Sequence, residues 1–111
     1  MMRELSTDPA DPGITRVLAA AAKHNMPVNI LAWGRLEQTA QVIARNPDTV
    51  IIIDHLGIQQ PHKAPPPKDV WADLPTVLKI AKHDNVRIKI SGACTMSYEP
   101  FPFKDLSLIH I

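Results

Sequence analysis

The run Thr49-Val50-Ile51-Ile52-Ile53-Asp54 restricts the fold of this chain more than any other feature of its sequence. It is nearly continuous in β-branched residues, which favour strands. A strand whose sheet has one face in water alternates apolar and polar residues, and this run does not. It therefore predicts a strand buried on both faces, as in a parallel sheet that helices cover.

Two other segments also have the pattern of strands. Residues 28–32 are a short apolar stretch bounded by a proline and a glycine, which is typical of a buried strand. Residues 86–91 alternate with a period of two, so Lys89 and Ser91 lie on the same face.

Three helices are predicted before and between these strands. The first is capped by Asp11 and ends near Asn25, the second stops at Asn46, and the third runs from about Asp73 to residues 83–85. Their apolar stripes are Ile14, Val17, Leu18 and Ala21, then Leu36, Thr39, Ala40 and Ile43, then Trp71, Leu74, Val77, Leu78 and Ala81. Alternating helices and strands predict an α/β fold with a parallel sheet, and the pattern fits a barrel and an open sheet equally.

Charge and cysteine content narrow the partners. Twelve basic and eleven acidic residues give a net charge of +1 and are spread along the chain, so neither nucleic acid nor a membrane surface is an expected partner. The single cysteine, Cys94, cannot form an internal disulfide, and no apolar window approaches the roughly 20 residues of a membrane span. We expect a cytoplasmic protein that acts on a small molecule.

The carboxyl ends of the strands are the expected place for chemistry, because loops converge there in parallel α/β folds. Among the residues at these ends, His55 is the best catalytic candidate, since an imidazole can move a proton, activate water or bind a metal. From spacing alone, a histidine that merely caps the strand explains the position equally well.

The segment VIIIDHLGIQQP, then a helix bearing Trp71 and Leu74, then NVRIKISG together resemble the latter half of amidohydrolase-related barrel hydrolases. This group includes aminocarboxymuconate-semialdehyde decarboxylase and several lactone hydrolases. The resemblance covers roughly residues 25–102. It implies a partial (β/α)8 TIM barrel of about three β/α units, since a whole barrel needs roughly 250 residues.

The resemblance also implies an enzyme that hydrolyses a lactone, ester or amide, with His55 in the active site. Because Ile51, Ile53 and His55 share one strand face, we expect all three to face the barrel interior, with the imidazole at its mouth. The alternatives are a non-oxidative decarboxylase of the same family and a non-catalytic α/β binding module.

The family's HxH ligand pair and its last-strand aspartate have no counterpart in this sequence. No metal ligand is therefore assigned, and a divalent, zinc-like ion in the intact enzyme is left open. We expect the 111-residue chain alone to be inactive.

Three further residues are candidates for substrate binding, namely Trp33, Lys89 and Ser91, although packing explains Trp33 better than recognition does. Lys89 can offer a positive charge to a substrate carboxylate, although a lysine satisfied inside the barrel explains its position as well. Asp54 is expected to cap its strand, because successive strand residues face opposite sides. The residues expected to be structural, exposed or without a catalytic role are His62, Trp71, His83 and Cys94.

The end of the chain has a different character. Residues 1–105 are interpreted as the barrel domain, and residues 106–111, LSLIHI, as a non-native tail. This tail reads back as CTG TCT CTT ATA CAC ATC, which resembles a sequencing adapter translated in frame. His110 is accordingly excluded from the candidate site.

Overall fold

The computed structural model describes residues 8–109, with side chains to residue 106. Its longer elements are α1 (Pro12–Lys23), β1 (Val28–Ile30), α2 (Leu36–Arg45), β2 (Ile51–Ile53), α3 (Leu74–Ile80) and β3 (Val86–Ile88). The strands form one open sheet in the order β1-β2-β3, and both pairings are parallel. The predicted α/β fold is confirmed, and the sheet is consistent with part of a (β/α)8 barrel.

The two faces of the sheet differ in what covers them. Ile51 and Ile53 are completely buried in a core with apolar residues of α2 and α3, namely Leu36, Ile43, Val77 and Ile80. By alternation, the other face carries Ile52, which is partly exposed, and its register partners Asn29 and Arg87, which are exposed. The predictions that both faces of β2 are buried and that Ile51 and Ile53 face a barrel interior are therefore wrong. Because apolar and polar residues do not alternate along this run, its sequence cannot show which face of the strand the helices cover.

All three strands are shorter than the sequence predicts. After β1 the chain turns, with the Arg35 N–H donating to the Ala32 carbonyl at 2.8 Å. After β2, Asp54 begins a tight turn, Asp54–Gly57. The backbone contact of β3 with β2 extends one residue past the strand, where the Lys89 N–H donates to the Ile53 carbonyl at 2.9 Å.

The predicted cap of α1 and the predicted start of α3 agree with the structure, whereas the predicted apolar stripes agree with it only in part. The Asp11 side chain accepts from the Gly13 N–H at 2.6 Å, so α1 is capped as expected. In α2 the buried residues include Leu36, Thr39 and Ile43, which confirms most of that stripe. The stripes of the other helices are partly wrong, because only Leu18 of α1 and only Val77 and Ile80 of α3 are buried. No helix within residues 8–109 has the length and apolar character needed to cross a membrane.

Candidate active site

Three side chains from three different strand ends meet at one edge of the sheet. The rings of Trp33 and His55 lie 5.6 Å apart between centroids and are tilted by 44°. After the end of β3, the Ser91 hydroxyl lies 3.0 Å from Nδ1 of His55. Three of the four residues selected from the sequence are thus brought together where the parallel strands end.

His55 is placed by the turn that follows β2 rather than by the strand itself. His55, Leu56 and Gly57 all have positive φ, at 54°, 59° and 71°. The first two bear a steric cost in this left-handed region, which residues other than glycine seldom occupy. The Leu56 N–H donates to the Lys89 carbonyl at 3.0 Å and fastens the turn to the next strand. His55 therefore lies at the strand ends as expected, but strand alternation is not the reason.

Gly57 anchors this turn to the core. A Cβ atom at this position would lie only 3.1 Å from Ile53, 3.2 Å from Val77 and 3.3 Å from Leu36. These side chains belong to β2, α3 and α2, so the backbone of the turn packs directly onto the core. The direction of the imidazole consequently depends on how the helices pack against the sheet.

The imidazole of His55 has one ring nitrogen engaged. Within the described residues, its only hydrogen bond joins Nδ1 to the Ser91 hydroxyl. A hydroxyl can donate or accept, so this contact is compatible with either neutral tautomer. In both tautomers Nε2 is left to exchange a proton with a bound molecule or to contact an electrophile.

Lys89 pairs with the carboxylate of Asp54 instead of joining this group. Nζ of Lys89 lies 3.1 Å from Oδ1 of Asp54, at a distance but not an angle that suits a hydrogen bond. Since Ile53 pairs with Ile88 in the sheet, the following residues Asp54 and Lys89 are neighbours. The expected capping role of Asp54 is replaced by this ion pair, and half of the Lys89 side chain, 49 %, is exposed.

Trp33 contributes a buried indole nitrogen at the same place. Its Nε1 is inaccessible to solvent and has no hydrogen-bond partner among the described residues. Buried indole N–H groups normally have an acceptor, so this donor is unusual in a packed structure.

One residue that contacts the site, Gln60, was not predicted from the sequence. The side chain of Gln60, in the long loop after His55, donates through Nε2 to the Ser91 carbonyl at 2.7 Å. No periodicity or motif marks this residue. Of the residues expected to be peripheral, His62, His83 and Cys94 are exposed, and Trp71 packs against the core.

A separate cleft of about 520 Å³ lies between residues 61–65 and 94–103. Neither Trp33, His55 nor Ser91 lines it, so it is distinct from the group at the strand ends. One wall is held by Asp105, which accepts hydrogen bonds from the Ser97 hydroxyl and the Tyr98 N–H. The bond from Ser97 in particular lowers the pKa of Asp105.

A family model described as amidohydrolase matches residues 2–107, which is nearly all of the sequence. The chain belongs to the amidohydrolase family. Neither the curated proteins nor the solved structures contain a significant match to it. Membership of the amidohydrolase family indicates an enzyme of the hydrolase or decarboxylase type, and the match does not distinguish the two.

Amidohydrolases are commonly metal-dependent, and a metal site needs several ligating side chains close together. Among the described residues, no three side chains of His, Cys, Asp or Glu come close enough together to hold an ion. Asp54 is engaged by Lys89, which leaves His55 as a single donor at the strand ends. This part of the amidohydrolase does not by itself fit a metal, and no catalytic step is derived through one.

Proposed function

We propose that the protein hydrolyses a lactone, ester or amide and that His55 moves the proton in this reaction. The observation that carries the proposal is the free Nε2 of an imidazole whose Nδ1 is held by Ser91 where three parallel strands end. As water attacks the carbonyl carbon of the substrate, Nε2 of His55 takes a proton from that water. The same proton is then given to the leaving oxygen or nitrogen as the C–O or C–N bond breaks.

The surroundings of His55 support a binding role for its neighbours. The indole ring of Trp33, whose centroid lies 5.6 Å from that of the imidazole, can offer an apolar surface to a bound substrate. Lys89 has a half-exposed side chain, and its ammonium, which is paired with Asp54, can also contact a carboxylate on a substrate. Backbone strain of the kind seen at His55 and Leu56 is concentrated at functional sites, because it persists only where the surrounding structure enforces it.

Isotope labelling separates the proposed hydrolysis from the decarboxylation that the same family performs. The protein expressed from its full reading frame is incubated in ¹⁸O-water with lactones, esters, amides and carboxylic acids that can lose carbon dioxide. We expect one ¹⁸O atom in the acid product and no carbon dioxide. Release of carbon dioxide without ¹⁸O in the organic product would assign a decarboxylase. Binding of a compound without any turnover would favour a non-catalytic module.

Substitution of Lys89 by methionine tests its predicted contact with a substrate carboxylate. We expect KM for a carboxylate-bearing substrate to rise about tenfold, since a charge-assisted contact of a partly exposed group is worth about 1.4 kcal/mol. KM for the corresponding methyl ester should stay within about twofold. Lys82→Met is the matched control, because Lys82 is an exposed lysine that precedes β3 in the sequence. Equal effects on the charged and neutral substrates would leave Lys89 only as the partner of Asp54.

A further inference from the structure

Ser91 lies beyond the last sheet contact of β3, so the sheet does not fix its position. Backbone pairing with β2 reaches Lys89, and the next residue, Ile90, is 67 % exposed. The Ser91 carbonyl instead accepts the hydrogen bond from Nε2 of Gln60 at 2.7 Å. Since only the nitrogen of an amide can donate, this contact also fixes which way the Gln60 amide faces.

Gly92 provides the surface on which the Gln60 amide lies. A Cβ atom at Gly92 would come within 2.2 Å of Oε1 and 2.3 Å of Nε2 of Gln60, so a side chain at this position would displace the amide from its place. Gly92 also has φ of 69°, a conformation that favours glycine. Although it lies in a polar loop, Gln60 is only 9 % exposed, and a buried amide is stable only when it is hydrogen-bonded. The Gln60 amide is therefore held by its hydrogen bond to the Ser91 carbonyl and by its close packing on Gly92.

We infer that Gln60 is a positioning residue that acts on His55 through Ser91. This inference rests on the proposed function of His55. The Gln60 amide holds the backbone of Ser91, the Ser91 hydroxyl holds Nδ1 of the ring at 3.0 Å, and the direction of Nε2 follows. Without the hydrogen bond from Gln60, the Ser91 backbone is no longer held and the imidazole loses its fixed orientation. Because the loss affects proton transfer, kcat falls while KM changes little.

A double-mutant cycle in the protein expressed from its full reading frame tests this relay. Gln60→Met keeps the size of the side chain without its amide, and Gln60→Glu keeps the shape without the donor. We expect each of them, and also Ser91→Ala, to lower kcat about tenfold with KM within about twofold. The double variant Gln60→Met/Ser91→Ala should be no slower than Ser91→Ala, because both changes break the same relay. Gln59→Met, at the exposed neighbouring glutamine, is the matched control.

Nuclear magnetic resonance of the histidine rings supplies a readout that needs no turnover. With ¹³C- and ¹⁵N-labelled histidine and assignment from His55→Asn, the ring signals of His55 in Gln60→Met should move toward those in Ser91→Ala. They should stay in place in Gln59→Met. Unchanged His55 signals in Gln60→Met, or additive losses of kcat in the double variant, would overturn the inference. If no substrate is turned over, the spectra alone decide, so failure of the proposed function is recognised separately. If the buried carboxylate of Gln60→Glu prevents folding, Gln60→Met carries both arms.

Discussion

Replacing His55 by asparagine is expected to lower kcat at least about a hundredfold, the usual scale for removing a general acid or base. Asparagine is the appropriate substitute for two reasons. It adopts positive φ more readily than other non-glycine residues, so it suits the φ of 54° at this position. Its amide can still hydrogen-bond with the Ser91 hydroxyl but cannot transfer a proton at neutral pH. Steady-state kinetics measures the loss, and the thermal melting curve should stay close to that of the wild type.

The chain offers a matched control for this change in His62. This histidine lies in the loop that follows the site and is exposed, so His62→Asn alters the same residue type without touching the strand ends. We expect its kcat within about twofold of wild type, as for surface changes away from the site. A folded His55→Asn variant with near-wild-type kcat would return His55 to a structural role.

Alanine at Gly57 is expected to destabilise the fold by about 2–5 kcal/mol. About 1–2 kcal/mol of this comes from forcing a Cβ into the left-handed region at φ of 71°. A further 1–3 kcal/mol, roughly, comes from pushing that Cβ against the side chains of Ile53, Val77 and Leu36. Urea unfolding measures the loss as a change in the free energy of unfolding.

Gly34 separates these two contributions. Its φ of 66° is close to that of Gly57, but no atom lies within 4 Å of the position that its Cβ would take. Gly34→Ala should therefore cost only the conformational part, about 1–2 kcal/mol. Equal losses at Gly34 and Gly57 would show that the core relaxes around the added methyl group and that the turn is not tightly anchored.

The sequence predicted those features that depend on local pattern and on the general rules of parallel sheets. The parallel pairing of the strands, the cap at Asp11 and the place of His55 just after β2 are of this kind. The stripe of α2 was predictable because its apolar residues are clearly separated from polar ones, whereas α3 has only seven residues and too few turns to define a face.

Other features depend on information that a single sequence does not contain. The pairing of Asp54 with Lys89 follows from the register of β2 and β3, and three successive isoleucines are compatible with more than one register. The direction of Ile51 and Ile53 is undetermined for the same reason. The contact of Gln60 with Ser91 joins residues 31 positions apart, one of them in an irregular loop, so no local pattern could indicate it.

The unequal faces of the sheet have a consequence for how this protein can change over generations. The face with Ile51 and Ile53 is filled, and nearly every replacement there costs folding free energy. On the opposite face, Asn29 and Arg87 are exposed in this part of the barrel, so their replacement leaves the core between the sheet and the helices intact. Selection for a new ligand can therefore explore one side of the same strands while the other side preserves the fold. Libraries for directed evolution are best randomised at Asn29 and Arg87.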